Sequence, residues 1–221
     1  MELLNVNTAR AVWLFDIAEL NPRGKSLFPE ILEWLKEEYH FEKAPTSVAD
    51  LDETKALTFS RGQFQVRDEI FVDVELKLFS DGLVANTQSS TRDTETFLED
   101  VMKTAVKEFS LAFKTDTIRF KLYVSEIYIR SVKQLVGVNP KLLDFSSQLA
   151  ALIPGNERLS YEFAGLKFWP TSPIPNVSIA PFEFERKLNS LPTENKYYSR
   201  APLHTDHHIT MLEEFEAAFM G

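Results

Sequence analysis

The sequence has no cysteine among its 221 residues. Disulfides, thiolate nucleophiles, iron–sulfur clusters and cysteine zinc sites are therefore excluded, and the composition is typical of a reducing compartment. Glycine is also scarce, with seven residues, and no two lie close enough together for a dinucleotide-binding fingerprint. A phosphate-binding P-loop ending in Gly24-Lys25-Ser26 is excluded, because Glu19 stands where its first glycine would have to be.

Long apolar runs and an excess of positive charge are missing as well. The longest apolar runs, such as 11–15 and 149–153, fall far short of the roughly 20 residues that a membrane span needs. No basic and apolar leader opens the chain, so we expect no signal peptide and a cytoplasmic protein that does not associate with membranes. The 24 Lys and Arg residues are outnumbered by 33 Asp and Glu, and the net charge of −9 argues against nucleic-acid binding.

Alternating apolar and polar residues predict the strands of this chain. The clearest pattern is 70–79, in which every second residue from Ile70 to Leu78 is apolar, as in a half-buried antiparallel strand. Asp81-Gly82 follows it and predicts a tight hairpin turn. The chain returns from this turn through a strand at 83–88. The other predicted strands are 11–18, apolar on both faces, 57–60 and 63–66 around a turn or bulge at Arg61-Gly62, 118–129, and parts of 159–169, 176–188 and 195–200.

Apolar residues at helical spacing predict four amphipathic helices. One covers 27–39 with Ser26 as its cap, and a second covers 94–109. The third, at 139–153, begins at Asn139-Pro140 and is stopped by Pro154-Gly155. Its apolar face consists of Leu142, Phe145, Leu149 and Leu152. The last helix, capped by Thr205 or Asp206, has an apolar face of Ile209, Leu212, Phe215 and Phe219.

These elements form the order β-α-β-β-β-α twice. We therefore expect an α+β fold, with a mainly antiparallel sheet and the amphipathic helices packed on it. The two similar halves, 1–113 and 114–221, are expected to pack as one compact body. The repeated order is what an internal duplication would produce, but it also arises readily in unrelated α+β proteins.

The sharpest chemical feature is the stretch His204-Thr-Asp206-His207-His208. Imidazole and carboxylate groups are ligands for a divalent metal such as zinc, and His204, Asp206 and His208 are the candidate ligands. His207 and His208 diverge by about 100° on a helix, whereas His204 and His208 would form an i, i+4 pair on a helix that begins before His204. A cap at Thr205 or Asp206 leaves His204 outside the helix, while Pro202 at a first helical position would allow the longer helix. A helix N-terminus with a partly buried histidine is the alternative interpretation.

Residues 202–207 match the His-x-His-x-Asp-His motif of metallo-β-lactamases except at its first position, where Pro202 stands. That family also needs further His and Asp ligands downstream, and none follows His208. The sequence therefore does not indicate this family.

A second candidate region is a predicted interaction surface in 168–200. It combines the proline-stiffened segment 168–182 with the one basic and aromatic stretch of the chain, and such ordered loops can serve recognition. Single-stranded nucleic acid and a charged edge hairpin that discourages aggregation are the alternatives. The surface residues are Trp169, Pro173, Pro175, Arg186, Lys196, Tyr197, Tyr198 and Arg200.

Every common catalytic arrangement is incomplete in this sequence, which also has no G-x-S-x-G motif. The leading hypothesis is therefore a non-enzymatic protein–protein interaction or assembly component of a larger intracellular complex, with no cofactor and with a protein partner or a homodimer. The alternative hypothesis is a metal-dependent hydrolase that uses His204, Asp206, His207 or His208.

Overall fold

The computed structural model describes residues 1–20, 28–45, 56–139, 141–153, 160–172, 174–175 and 177–219. This part of the chain forms an α+β fold with an antiparallel sheet, as predicted. The strands are β1 Glu2–Leu14, β2 Leu57–Arg67, β3 Ile70–Phe79, β4 Gly82–Thr87, β5 Phe120–Arg130, β6 Gly165–Phe168, β7 Phe182–Arg186 and β8 Lys196–Ala201. The α-helices are α1 Phe28–Glu38, α2 Thr91–Phe109, α3 Lys141–Ala151 and α4 Thr205–Phe219.

The order of these elements repeats, as the sequence predicted. Strand β1 and helix α1 precede β2, β3, β4 and α2, and then β5 and α3 precede β6, β7, β8 and α4. The hydrogen-bonded order of the sheet is β2-β3-β4-β1-β5-β8-β7-β6. The order β2-β3-β4-β1 in the first half thus corresponds to β6-β7-β8-β5 in the second.

The chain divides into two compact units. Unit 1 comprises Met1–Asn7, Glu126–Pro202 and Asp206–Gly221, and unit 2 comprises Thr8–Ser125 and Leu203–Thr205. The predicted boundary between residues 113 and 114 stays a prediction.

Unit 2 has a large core, with eighteen buried side chains among its described residues, including Trp13, Phe59, Leu76 and Phe97. Strand β1 contributes to it by alternation, since Ala9, Ala11 and Trp13 are buried while the residues between them are half-buried. The predicted strand at 11–18 was wrong on two points. The strand begins at Glu2 and ends at Leu14, and in unit 2 it is fully buried on one face only.

Unit 2 contains the predicted hairpin turn, and its helix α2 starts earlier than predicted. Strands β3 and β4 form the predicted hairpin, in which Gly82 has a φ of 155°, and an added Cβ there would meet the carbonyl oxygen of Trp13. Helix α2 begins three residues before the predicted start, because the hydroxyl of Ser90 accepts a hydrogen bond from the N–H of Asp93 and caps it.

Unit 1 has a much smaller core. In the part of unit 1 that the structure describes, it consists of six buried side chains, Ile127, Ile129, Leu135, Phe184, Tyr197 and Leu212. Helix α3 adds little to it, because Phe145 and Leu152 of its predicted apolar face are 63% and 79% exposed and the buried residue of the helix is Ser146. Helix α4 begins at Thr205, one residue before the start that a cap at Thr205 would give, and leaves His204 outside the helix. It buries Leu212, but Phe219 of its predicted buried stripe is 58% exposed.

Strand β2 in unit 2 has the predicted bulge. Its register with β3 shifts between Phe59 and Gly62, and Arg61 adopts a left-handed φ of 58°. Among the described residues, no helix is long and apolar enough to cross a membrane.

Candidate functional site

Strand β8 places the predicted surface residues of unit 1 on opposite faces of the sheet. Lys196, Tyr198 and Arg200 are half-buried on one face, while Tyr197, Ser199 and Ala201 are buried on the other. This separation follows from the two-residue period of a strand. The face with Lys196, Tyr198 and Arg200, here called the open face, is the one that presents side chains to solvent.

Tyr197 belongs to the core of unit 1 rather than to a surface. It is 4% exposed, its ring stacks on Phe184 with centroids 4.9 Å apart, and its hydroxyl oxygen accepts a hydrogen bond from the N–H of Leu135 at 3.0 Å. Burial raises the pKa of its hydroxyl. Tyr197 therefore stabilises the unit and stays neutral.

The open face contains several ion pairs and two neighbouring tyrosines, Tyr128 and Tyr198. Arg200 Nε lies 3.5 Å from a carboxylate oxygen of Glu126, and Lys167 pairs with Glu183 on the neighbouring strand. The rings of Tyr128 and Tyr198 lie 5.6 Å apart. Opposite charges are thus balanced, so this face does not attract a partner of one charge sign.

Trp169 lies just beyond the end of β6 and is 66% exposed. The ammonium of Lys167 lies 4.6 Å from its ring centroid, and the adjacent Phe168 is 61% exposed. Pro175 is exposed as well, whereas Pro173 lies outside the described residues. The ring centroid of Phe168 lies 5.9 Å from that of Phe182, so Phe168 and Trp169 are two exposed aromatic side chains with different neighbours at the end of β6.

The remaining predicted surface residues are cations with acidic partners. Arg186 pairs with Glu162, and Lys196 pairs with Glu194. The hydrogen bond and charge of Lys196 and the N–H of Leu191 together lower the pKa of Glu194. These pairs hold Arg186 and Lys196 close to carboxylates of their own unit.

His204 belongs to unit 2 and takes part in a polar cluster there. Its Nδ1 lies 3.2 Å from the hydroxyl oxygen of Thr91, and its ring lies on that of Tyr123 with centroids 3.7 Å apart. The hydroxyl of Tyr123 donates to Glu95 at 2.8 Å, and Lys121 Nζ lies 2.7 Å from the same carboxylate oxygen. His204 is therefore oriented by stacking and by Thr91.

The electrostatics of this cluster keep Glu95 ionised and Tyr123 neutral near neutral pH. Burial raises the pKa of Glu95, but hydrogen bonds from Lys121 and Tyr123 and the nearby charges outweigh it, so that the pKa is lowered. Burial and the hydrogen bond to Glu95 raise the pKa of the Tyr123 hydroxyl. A carboxylate that accepts from a neutral tyrosine and from an ammonium forms a stable network, and neither group is poised to exchange a proton near neutral pH.

No sequence pattern identified Glu95, Lys121 or Tyr123. Lys121 and Tyr123 lie 26 and 28 residues from Glu95 in the chain, and His204 lies 113 residues from Thr91. Such a cluster is formed by the packing of β5 and α2 in unit 2, and local periodicity carries no information about it.

His208 lies in unit 1 and is fully buried. Its Nε2 is 2.8 Å from the hydroxyl oxygen of Ser199, and Ser199 in turn donates to the carbonyl oxygen of Glu183 at 2.8 Å. The imidazole ring also lies edge-on to the ring of Phe182, with the ring centroids 6.3 Å apart. Since neither Ser199 nor His208 is exposed to solvent, the pair cannot meet a substrate in this arrangement.

Asp206 and His207 occupy the first turn of α4 and are exposed. Within the described ranges, no group of three or more His, Asp or Glu side chains is arranged to hold a metal ion. The proposed metal ligands His204, Asp206 and His208 stay a prediction.

The comparisons with known proteins leave the family open. No family model matches the sequence, and no curated protein matches it. Among solved structures the chain is similar to Methanococcus jannaschii TBP, with a TM-score of 0.43 and 14% identity, over 98% of this chain and 95% of that one. A likeness of this degree carries no argument about what this chain binds.

Proposed function

We propose that this chain is a non-enzymatic interaction component of a protein assembly and that unit 1 carries its contact surface. One observation supports the proposal above the others. Of the seventeen large apolar side chains that are exposed in the described residues, four belong to unit 2 and thirteen to unit 1. Apolar surface that a fold leaves uncovered is typical of protein–protein contact sites.

The small core of unit 1 supports the same interpretation. Among the described residues its core contains six buried side chains, against eighteen in the core of unit 2, although the two halves of the chain have strands and helices in the same order. Each aromatic side chain left exposed forgoes about 1.5–3 kcal/mol of burial free energy. A partner that covers Phe168, Trp169 and the apolar face of α3 would supply this burial.

The chemistry of the exposed residues also fits binding better than catalysis. Tryptophan, tyrosine and phenylalanine are enriched at the centres of protein interfaces, and Phe168, Trp169 and Tyr161 are all more than 40% exposed. The proposal further includes a cytoplasmic location, which the absence of cysteine supports. It also includes an internal duplication, which the matching strand orders of the two halves support.

The test is capture of partners from the source cell with two matched double variants. Phe168→Ser with Trp169→Ser removes the aromatic pair of unit 1, and Ile70→Ser with Phe71→Ser removes a comparably exposed pair of unit 2. The proposal predicts one stoichiometric partner that is lost from the first variant and retained by the second. A partner that both variants retain, or that only the unit 2 variant loses, would contradict it.

A further inference from the structure

We propose that a second copy of this chain pairs with strand β6, edge to edge and antiparallel. This inference rests on the proposed function and names the partner of the same surface. Strand β6 is the last strand of the sheet and has β7 as its strand neighbour. Its other edge therefore offers backbone donors and acceptors to an added strand.

The register of β6 with β7 identifies the groups that point outward. The N–H of Arg186 donates to the carbonyl oxygen of Ala164 at 2.7 Å. In an antiparallel pair, hydrogen-bonded and non-hydrogen-bonded positions alternate. The backbone N–H and C=O of Leu166, which lies opposite Phe184, therefore point toward β7. The N–H and C=O of Gly165 and Lys167 therefore point away from β7. In the part of the chain that the structure describes, no backbone group hydrogen-bonds to them.

The opposite edge of the sheet is strand β2 in unit 2, and backbone groups of this strand form hydrogen bonds with another segment. The N–H of Ser60 donates to the backbone carbonyl oxygen of Lys43 at 3.0 Å, and the N–H of Gln63 donates to that of Tyr39 at 2.8 Å. A bulge interrupts the same strand at Arg61. Covering segments and bulges are the usual protection of an edge strand against pairing. Among the described residues, the edge at β2 is thus protected, whereas no backbone group pairs with the outer edge of β6.

The charges of Lys167 and Glu185 favour one register of the proposed strand pair. Pairing Lys167 with Lys167 of the second copy would set like charges directly opposite each other, which is unfavourable. Pairing Lys167 with Gly165 of the second copy avoids this contact. Because Gly165 lies opposite Glu185 on β7, Lys167 then approaches Glu185 of the second copy across a residue with no side chain. Two strand spacings separate the two side chains, about 10 Å between Cβ atoms, which their combined length can span.

Glu185 suits this role. It is exposed, and among the described residues it forms no ion pair. The two-fold axis of an antiparallel pair creates the contact between Lys167 and Glu185 twice. It also brings two copies of Phe168 and Trp169 to the margin of the interface, where their apolar area adds to the backbone hydrogen bonds.

Sedimentation velocity of the purified full chain over a concentration series tests the pairing. Lys167→Pro removes the outward-pointing N–H but leaves the hydrogen bonds between β6 and β7, since proline is tolerated at a solvent-facing edge position. Lys167→Ala is the matched control, because it removes the same side chain and keeps the N–H. The wild type is expected to be a dimer, and Lys167→Pro should weaken dimerisation about tenfold or more relative to Lys167→Ala.

A charge exchange tests the register. Lys167→Glu and Glu185→Lys should each weaken the dimer, and the double variant should restore most of the loss. A wild type that is monomeric at all concentrations, or a dimer that Lys167→Pro leaves intact, would overturn the pairing. A monomer whose captured partner still depends on Phe168 and Trp169 would refute the second copy alone, and would assign the edge to a segment of a different protein.

Discussion

The Nε2 of His208 and the Oγ of Ser199 lie 2.8 Å apart inside unit 1, and both side chains are fully buried. The histidine that the sequence offered as a metal ligand is thus hydrogen-bonded to a serine of β8. Since Ser199 donates to Glu183, the imidazole Nε2 is the donor of this hydrogen bond. The relationship gives His208 a measurable structural role, which is independent of any ligand.

Ser199→Ala should destabilise the protein by about 1–3 kcal/mol, because it leaves the buried imidazole without its hydroxyl partner. Urea unfolding followed by circular dichroism measures the change. His207→Ala on the exposed side of the same helix turn is the control, and it should change stability by less than about 0.5 kcal/mol. Equal effects of the two substitutions would refute the structural role of His208.

Leu212→Ala should cost about 2–5 kcal/mol of unfolding free energy, because the side chain is 1% exposed in the core of unit 1. Leu188→Ala, at a position that is 84% exposed, removes the same atoms from the surface and should cost less than about 0.5 kcal/mol. A small loss for Leu212→Ala would mean that α4 is not packed on that core.

Glu216 should make stability depend on acidic pH. Burial raises the pKa of its carboxyl, but hydrogen bonds from Ser131, the N-terminal ammonium and the N–H of Val132 outweigh this and lower the pKa. A lowered folded-state pKa contributes stability above the unfolded pKa, about 4.3 for glutamate, and the contribution is lost as the pH falls through the folded-state pKa.

Urea unfolding at several pH values compares Glu216→Gln with the wild type. The wild type should have the larger free energy of unfolding at neutral pH. The difference in unfolding free energy from Glu216→Gln should shrink as the solution is acidified below about pH 4. Glu213→Gln on the exposed face of the same helix is the control. A difference in unfolding free energy that does not change with pH would contradict the lowered pKa of Glu216.

Two residues with positive φ should respond to substitution in opposite directions. Gly82→Ala places a Cβ against the carbonyl of Trp13 at a φ of 155° and should cost more than about 1 kcal/mol. Ser110→Gly, at the left-handed C-cap of α2 with a φ of 53°, should stabilise the protein by up to about 1 kcal/mol. Thermal unfolding of both variants measures the difference, and a shift of the same sign in both would refute it.

The sequence predicted most elements of the fold because they have local causes. The alternation in 70–79 and the turn at Asp81-Gly82 lie within a few residues of each other, and β3, β4 and their hairpin follow from them. The apolar face of α3 was also visible locally. Whether another element covers that face depends on distant packing, and Phe145 is exposed.

The site was less predictable for the same reason. Alternation along β8 could have separated Tyr197 from Tyr198, since a two-residue period puts them on opposite faces. The cluster of Glu95, Tyr123 and His204 depends on contacts between residues far apart in the chain, and no single segment encodes it.

The central claim is that unit 1 carries the contact surface of an assembly. Lysine cross-linking of the natively captured assembly, read by mass spectrometry, tests it most directly. Intermolecular cross-links are expected from Lys167, Lys187 and Lys196 of unit 1, while the exposed Lys107 of unit 2 should form few. Intermolecular cross-links concentrated in unit 2, with none from these three lysines, would contradict the claim.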